Sequence, residues 1–415
     1  MPHSPFVPAA LWTAPFIALL IGIAVLPLAA PHFWESNARK LAVSILLGLP
    51  VVLLYAWQAP AALAHSAADY ASFIVLLGSL FVISGGVFLD GDIEATPLAN
   101  TAFLGAGALL ASFAGTTGAS MLLIRPLLST NRERRHVVHT IVFFIFIVSN
   151  IGGCLTPLGD PPLFLGYLQG VPFTWTIRLT VPWLVTNAVL LLIYFLWDSR
   201  MHAREPRAAL ERDRIEVRPL RLRGAFNLAL LTGILAAAAL MPAALRELAM
   251  IALAAASLWL TPARIRRANH FDFHPIIEVA AIFLGVFATM MPALDLLRAA
   301  GAELGVREPW QFFWATGSLS SLLDNAPTYL AFLAIAQGQG LPPEVAGVSH
   351  EVLAAISLGA VFMGANTYIG NVPNFMVRSI AESRGVAMPS FGGYLRYSGA
   401  VLMPVFLLVT VLFFR

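Results

Sequence analysis

The chain has 415 residues, of which 59% are hydrophobic and only 11% charged, with a formal net charge of +3. Soluble domains carry about 25% charged residues, so this composition excludes a water-soluble globular enzyme and indicates a polytopic membrane protein. One cysteine, Cys154, excludes an intramolecular disulfide and a thiolate metal cluster. The arginines lie in loops between apolar runs, so no nucleic-acid partner is expected.

Residues Met1 to Pro8 lack a basic n-region, and no cleavable signal is expected. Apolar runs long enough to cross a bilayer fall at residues 11–30, 41–57 and 70–89. Residues 98–112 are short for a span and rich in Gly and Ala. They end in Gly115-Thr116-Thr117-Gly118-Ala119-Ser120, and residues 121–128 are apolar again, which predicts a re-entrant hairpin with a Gly/Thr tip.

A basic loop, residues 131–136, precedes the apolar run 137–148. That run is broken by Ser149-Asn150-Ile151-Gly152-Gly153-Cys154-Leu155-Thr156-Pro157-Leu158-Gly159-Asp160-Pro161-Pro162 and resumes at 163–168. Proline removes a backbone donor and clashes with the preceding turn. Unwound backbone at that depth is tolerated only where it lines a polar cavity, the arrangement by which broken transporter helices bind ions or substrate. A further span is expected at 177–197. Residues 198–223 hold eight arginines and five acidic residues and read as a solvated linker between an N-terminal half, 1–197, and a C-terminal half, 224–415.

The second half has spans at 226–241, 243–260 and 276–297, with a basic loop carrying Arg264, Arg266 and Arg267. Residues 312–335 contain Ser318-Leu319-Ser320-Ser321-Leu322-Leu323-Asp324-Asn325-Ala326-Pro327-Thr328, a second pair of short arms around a polar tip. A second broken helix, 352–380, carries Gly364-Ala365-Asn366-Thr367-Tyr368-Ile369-Gly370-Asn371-Val372-Pro373-Asn374, and residues 394–414 form the last span.

The halves match. Gly153 pairs with Gly364, Thr156 with Thr367 and Pro162 with Pro373 at a constant offset of 211 residues. Thr116-Thr117 pairs with Asp324-Asn325 and Ser120 with Thr328 at 208, and Gly78 with Gly285 at 207. The expected fold is an all-α polytopic membrane protein of two inverted-topology repeats, each about five spans plus a re-entrant hairpin and one broken helix. With the linker in the cytoplasm this topology puts twenty of the 25 Lys and Arg residues inside and both termini outside, in keeping with the positive-inside bias.

Charge within a bilayer is costly and functional by default. Asp160, in the first break, and Asp324, at the second hairpin tip, are the candidates. Asp160 directly precedes Pro161 and therefore also reads as a helix cap, so Asp324 is expected to weigh more in coupling. The neutral oxygens Thr116, Thr117, Ser120, Asn150, Thr156, Asn325, Thr328, Asn366, Thr367, Asn371 and Asn374 cluster at the four interruptions and suit a hard cation such as sodium, the one bound species expected. Arg125 and Arg378 read as snorkelling side chains, with anion attraction as the alternative. Glu278 reads as an interfacial side chain, and His136 and His139 show no metal-ligand spacing. No nucleophile elbow, P-loop or zinc motif is present, so an enzyme is not expected.

These motifs, Ser149 through Pro162, Leu323-Asp324-Asn325-Ala326-Pro327 and Gly364 through Asn371, resemble those of the ion transporter superfamily. That superfamily includes arsenite permeases, dicarboxylate and citrate carriers, and D-type bacterial sodium/proton antiporters. The resemblance runs in order over about residues 70–382, and the chain looks most like the antiporter and citrate-transporter-like branch. It implies inverted repeats, two hairpins, an elevator-like transport domain, a homodimer and a multi-pass location in the bacterial inner membrane. Carboxylate carriers of the superfamily show a Ser-Asn-Thr type signature at both tips. Here the tips read Gly115-Thr116-Thr117-Gly118 and Asp324-Asn325, which favours a small cation. Sodium/proton antiport is therefore the leading expectation, with cation-coupled transport of citrate, a dicarboxylate or another anion as the alternative and arsenite-permease-like efflux behind it.

Overall fold

The computed structural model describes residues 6–340 and 344–415. Residues 1–5, part of the stretch read for a signal, lie outside the described residues. A short 3-10 turn leads into α1 (Ala14–Ala29), α2 (Pro31–Trp34), α3 (Asn37–Gln58) and α4 (Pro60–Ser84). Proline opens α2 and α4, where its missing N–H is no loss because that donor has no acceptor within the helix. The third expected span, 70–89, is displaced toward the N-terminus: the helix begins at Pro60. The helix stops at Ser84, and the chain then forms β1 (Phe88–Asp92).

The first hairpin is α5 (Pro97–Ala114) and α6 (Thr116–Thr130), joined by Gly115 alone. Gly115 has φ 79°, a left-handed conformation that a side chain disfavours. Thr96 caps α5 by accepting the N–H of Ala99. At the other end of the hairpin the amides of Asn100 and Asn131 bond each other reciprocally at 2.9 and 3.0 Å. So α5, although long enough to cross by itself, is returned to its starting side.

The first broken helix follows as α7 (Val138–Ile147), a 3-10 turn at Ile151–Cys154 and α8 (Pro161–Leu168). Next come α9 (Thr180–His202), α10 (Arg207–Ile215) and β2 (Arg218–Arg223). This corrects the solvated-loop reading of the linker. Residues 198–202 belong to α9, and β2 pairs antiparallel with β1, Phe88 opposite Arg223 and Asp92 opposite Arg218. β1 supplies backbone partners for β2, while Asp213 on α10 accepts the N–H of Ala95 at 2.8 Å. These partners lie more than a hundred residues upstream, where the local sequence of the linker cannot show them.

The second half runs through α11 (Phe226–Leu240), α12 (Ala243–Leu260), α13 (Ala263–Ala268) and α14 (His274–Ala300). The second hairpin is α15 (Pro309–Ser320) and α16 (Asn325–Gln337). The second broken helix is α17 (His350–Met363), a 3-10 turn at Gly364–Asn366 and α18 (Val372–Ser383), and α19 (Phe391–Phe413) ends the chain. Eight helical segments among the described residues are long and apolar enough to cross a membrane. The protein is an all-α polytopic membrane protein.

Two packed groups emerge. In one, α3 runs parallel to α14, with Lys40 paired to Glu278 at 2.6 Å and Tyr55 Oη donating to Asp295 at 2.7 Å. In the same group α4 runs antiparallel to α14, with Ser66 bonded to the carbonyl of Phe287 and Tyr70 to that of Ala280, and α12 lies along α4. The other group holds the hairpins, the broken helices, α9 and α19. The open end of the first hairpin sits by Asp198 near the linker. That of the second sits by Arg298, whose Nε donates to Gln337 at 3.1 Å. Arg298 ends a 27-residue helix that spans about 40 Å from its linker-side start, so the hairpins open on opposite faces. Polar ties between the groups gather at the face away from the linker. Gln169 bonds Asp69 at 3.1 Å, Arg246 bonds Tyr167 Oη at 2.8 Å, and Arg298 bonds Gln337.

Candidate ion and substrate site

Both breaks are braced by the same bonds. Thr156 Oγ1 donates to the carbonyl of Ser112 and accepts the N–H of Leu158 at 3.1 Å. Thr367 Oγ1 donates to the carbonyl of Ser321 at 2.6 Å and accepts from Ile369 and Gly370. Ser112 Oγ bonds the carbonyl of Gly152, and Ser321 Oγ that of Met363. A Cβ on Gly159 would lie 2.2 Å from the carbonyl oxygen of Gly153, and one on Gly370 would lie 2.6 Å from that of Gly364. Only glycine allows the two sides of each unwound loop to approach this closely.

The breaks meet each other. Asn150 Nδ2 donates to Asn374 Oδ1 and to the carbonyl of Ile145, both at 2.7 Å. Asn374 in turn donates to the carbonyls of Gly364 and Thr367 at 2.9 Å. Asn371 Nδ2 reaches the carbonyl of Ser149 at 3.1 Å and Asn150 Oδ1 at 3.3 Å. Ser120 on α6 bonds Ser149 through their hydroxyls at 2.8 Å.

Asp160 is the centre. Its carboxylate, 1% exposed, accepts Thr116 Oγ1 from the first hairpin at 2.6 Å and Asn325 Nδ2 from the second at 2.5 Å. It also accepts Asn371 Nδ2 from the second break at 3.1 Å. One carboxylate thus joins both hairpins and both breaks. Its backbone holds the N-cap position of α8, yet its side chain makes no capping bond. Asp324 does the capping, accepting the N–H of Ala326 at 3.0 Å. The capping expectation is therefore reversed between the two carboxylates, because Asp160 is drawn to the facing tips rather than to its own helix.

The other expected residues divide. Thr116, Asn325 and Asn371 bond Asp160, Asn150 bonds Asn371, and Ser120 stands one step further out, on Ser149. Thr156 and Thr367 brace the loops. Thr328 Oγ1 is spent on the carbonyl of Asp324 at 2.9 Å, and Asn366 Nδ2 on Ser321 Oγ at 2.8 Å. Thr117 is only partly buried and is not bonded to either carboxylate. Two buried acceptors, Asn325 Oδ1 and Asn366 Oδ1, have no hydrogen-bond partner among the described residues. Among the described residues no lysine or arginine bonds any of these side chains, so the resident charge is negative. Hydroxyl, amide and carboxylate oxygens with no fixed cation are a donor set for a proton or a hard cation.

Other buried charges escaped the sequence reading. Asp198, assigned there to the linker, accepts Arg134 at 2.6 and 3.0 Å and pairs with His139 at 2.8 Å, all buried. His139 also stacks on Trp197. Glu205 accepts the backbone N–H groups of Arg135 and His136. Lys40 is buried against Glu278, which is therefore an ion-pair partner rather than a free interfacial side chain. Only the acidic residues spaced among arginines after Trp197 hinted at such partners. Among the described residues no group of three or more His, Cys, Asp or Glu is placed to hold a metal ion.

A family model described as "putative citrate transport" matches residues 7–414. No curated protein matches the chain.

Proposed function

The chain belongs to that family and is a multi-pass membrane transporter, and we propose that it is a secondary active transporter exchanging sodium for protons at Asp160. The observation that carries this reading is the Asp160 carboxylate, held by both hairpins and both breaks with no fixed cation beside it. A carboxylate that takes either a proton or a cation enforces exchange, because the two occupancies exclude each other. Three features support alternating access by an inverted pair of repeats: the matched bonds of the two breaks, the antiparallel α4 and α14, and the opposed hairpins. On this reading the hairpin group moves against the α3–α4–α12–α14 group.

The family's description favours a second reading, cation-coupled transport of citrate. In that case a cation on Asp160 would supply the positive charge that the site's own side chains lack. Proteoliposomes decide between the two. With an imposed pH gradient, antiport gives sodium or lithium uptake that needs no citrate. The second reading gives citrate uptake that needs sodium. Arsenite serves as the control substrate. Sodium uptake absent without citrate, but present with it, would replace the first reading by the second.

A further inference from the structure

Arg125 takes no part in the reading above. It lies on α6 five residues before the helix ends at Thr130, between the buried Ile124 and Pro126. Its Nη1 is buried without a hydrogen-bond partner, and among the described residues no carboxylate pairs with it. The other partly or fully buried arginines among the described residues are served. Arg134 has Asp198, Arg246 has Glu247, Arg298 has Asp295, and Arg266 has the carbonyl of Val82. α6 packs beside α18, and the charge that acts on Arg125 is Arg384, one residue beyond α18 and exposed, which among the described residues has no carboxylate of its own. Glu382, the acid at that end of α18, is engaged by Arg378 at 2.9 Å, and the Arg378 guanidinium lies over the Tyr368 ring.

A half-buried guanidinium with a like charge beside it and no acid is costly as it stands. It becomes favourable when an oxyanion enters, since the planar fork of arginine matches carboxylate and phosphate oxygens in pairs. We propose that the place where α6 packs beside α18, at the linker end of the bundle, is an oxyanion site. Arg125, with its unpartnered buried Nη1, takes the carboxylate or phosphate group, and Arg384 adds the second positive charge acting there. The site is distinct from Asp160, because Arg125 stands about 14 Å along α6 from Thr116. It does not rest on the transport reading. The same chemistry could come from a dissolved anion or from a lipid headgroup phosphate.

The test uses the purified full chain in neutral detergent. The unfolding midpoint is read in a few millimolar sodium phosphate or sodium citrate against sodium chloride at matched ionic strength. Retention of phosphatidylglycerol against phosphatidylcholine is read by native mass spectrometry. A bound anion should raise the wild-type midpoint by a few degrees, and Arg125→Gln and Arg384→Gln should abolish that rise, with Arg125→Lys keeping part of it. Without anion, Arg125→Gln should unfold no earlier than wild type, because the unpaired charge is gone. A midpoint rise assigns the dissolved anion. Selective phosphatidylglycerol retention that is lost in the variants, without a midpoint rise, assigns the lipid headgroup. Equal rises and equal lipid retention in wild type and both glutamine variants would overturn the site. Should Arg125→Gln fail to fold, Arg384→Gln, on an exposed side chain, carries the same comparison.

Discussion

Asp160→Asn separates binding from folding at the site. The amide has the carboxylate's shape, and Asn325 has an unpartnered Oδ1, so rotating the Asn325 amide offers the new N–H an acceptor. Each of three charge-assisted bonds, worth roughly 1.5–3 kcal/mol, becomes a neutral one worth roughly 0.5–1.5. That loss is offset because a buried charge no longer has to be desolvated. The net change in stability should be about 1 kcal/mol. Binding should change far more. A unit charge about 4 Å from a carboxylate gains about 4 kcal/mol at an effective dielectric near 20. Halving that for desolvation still leaves about 2 kcal/mol, so sodium affinity should fall by roughly 30-fold to 1,000-fold. Calorimetric titration of sodium gives the affinity, and radioactive sodium exchange in proteoliposomes across a pH series gives the coupling. Asp324→Asn should do much less, since asparagine caps a helix nearly as well as aspartate. A sodium affinity for Asp160→Asn within about threefold of wild type, with pH-dependent exchange intact, would refute the assignment.

Thr156→Val and Thr367→Val each remove a brace between a break and a hairpin arm, at a cost of about 1 kcal/mol apiece on the scale of side-chain hydrogen bonds in membranes. Each should lower the thermal midpoint slightly and transport more, and normal transport in both would make the braces dispensable. Cysteines replacing Ala208 on α10 and Glu344 before α17 should be labelled from opposite sides of sealed vesicles, and labelling of both from one side would contradict the inverted topology. Burial pushes the Asp213 carboxyl up to about 6 from 3.8, against the lowering effect of the Ala95 N–H and with help from Glu133, Asp92 and Glu94. A carboxyl raised in the folded state binds its proton more tightly there than in the unfolded chain. The docked linker is therefore most stable below pH ~4 and loses that stability as pH rises through about 6. Asp213→Asn should remove the penalty and stabilise the linker above that pH by roughly 1–2 kcal/mol, after discounting for solvent. Hydrogen exchange at Ala95 and along α10, corrected for intrinsic rates, checks this. Equal protection of the wild-type linker at pH 5 and pH 8 would contradict it.

The breaks were legible because glycine and proline interrupt apolar runs at an offset of 211 residues, where the backbone needs them to unwind, and the hairpins because short apolar arms flank polar tips at an offset of 208. Arg134, His139 and Asp198 were not legible as a unit. They lie up to 64 residues apart; Arg134 looked like part of a basic loop, Asp198 like the start of a linker and His139 like a lone histidine at the head of an apolar run. The roles of Asp160 and Asp324 were read the wrong way round for capping, because the local Asp-Pro signal cannot report that Thr116, Asn325 and Asn371 compete for the same side chain. In β2 Leu220 and Leu222 alternate with Arg221 and Arg223, but no face of it is buried, since every residue from Arg218 to Arg223 is exposed, so within an arginine-rich linker the short alternation did not mark a strand. Its pairing depends on β1, which reads as the tail of a span.

β1 and β2 lie on two of the three stretches where the chain passes between the packed groups, residues 85–96 and 203–225, the third being 301–308. Bonded to each other, the two strands cannot lengthen independently, so at the linker end the groups share a short, stiff tie rod. At the opposite face the crossing is a single stretch of eight residues, able to reach about 26 Å when drawn straight. Sliding of one group past the other is thus restrained at one end and slack at the other. The hairpin group should swing about the ribbon as a lever does about its pivot, with the longest stroke on the side where Gln169 and Gln337 must let go.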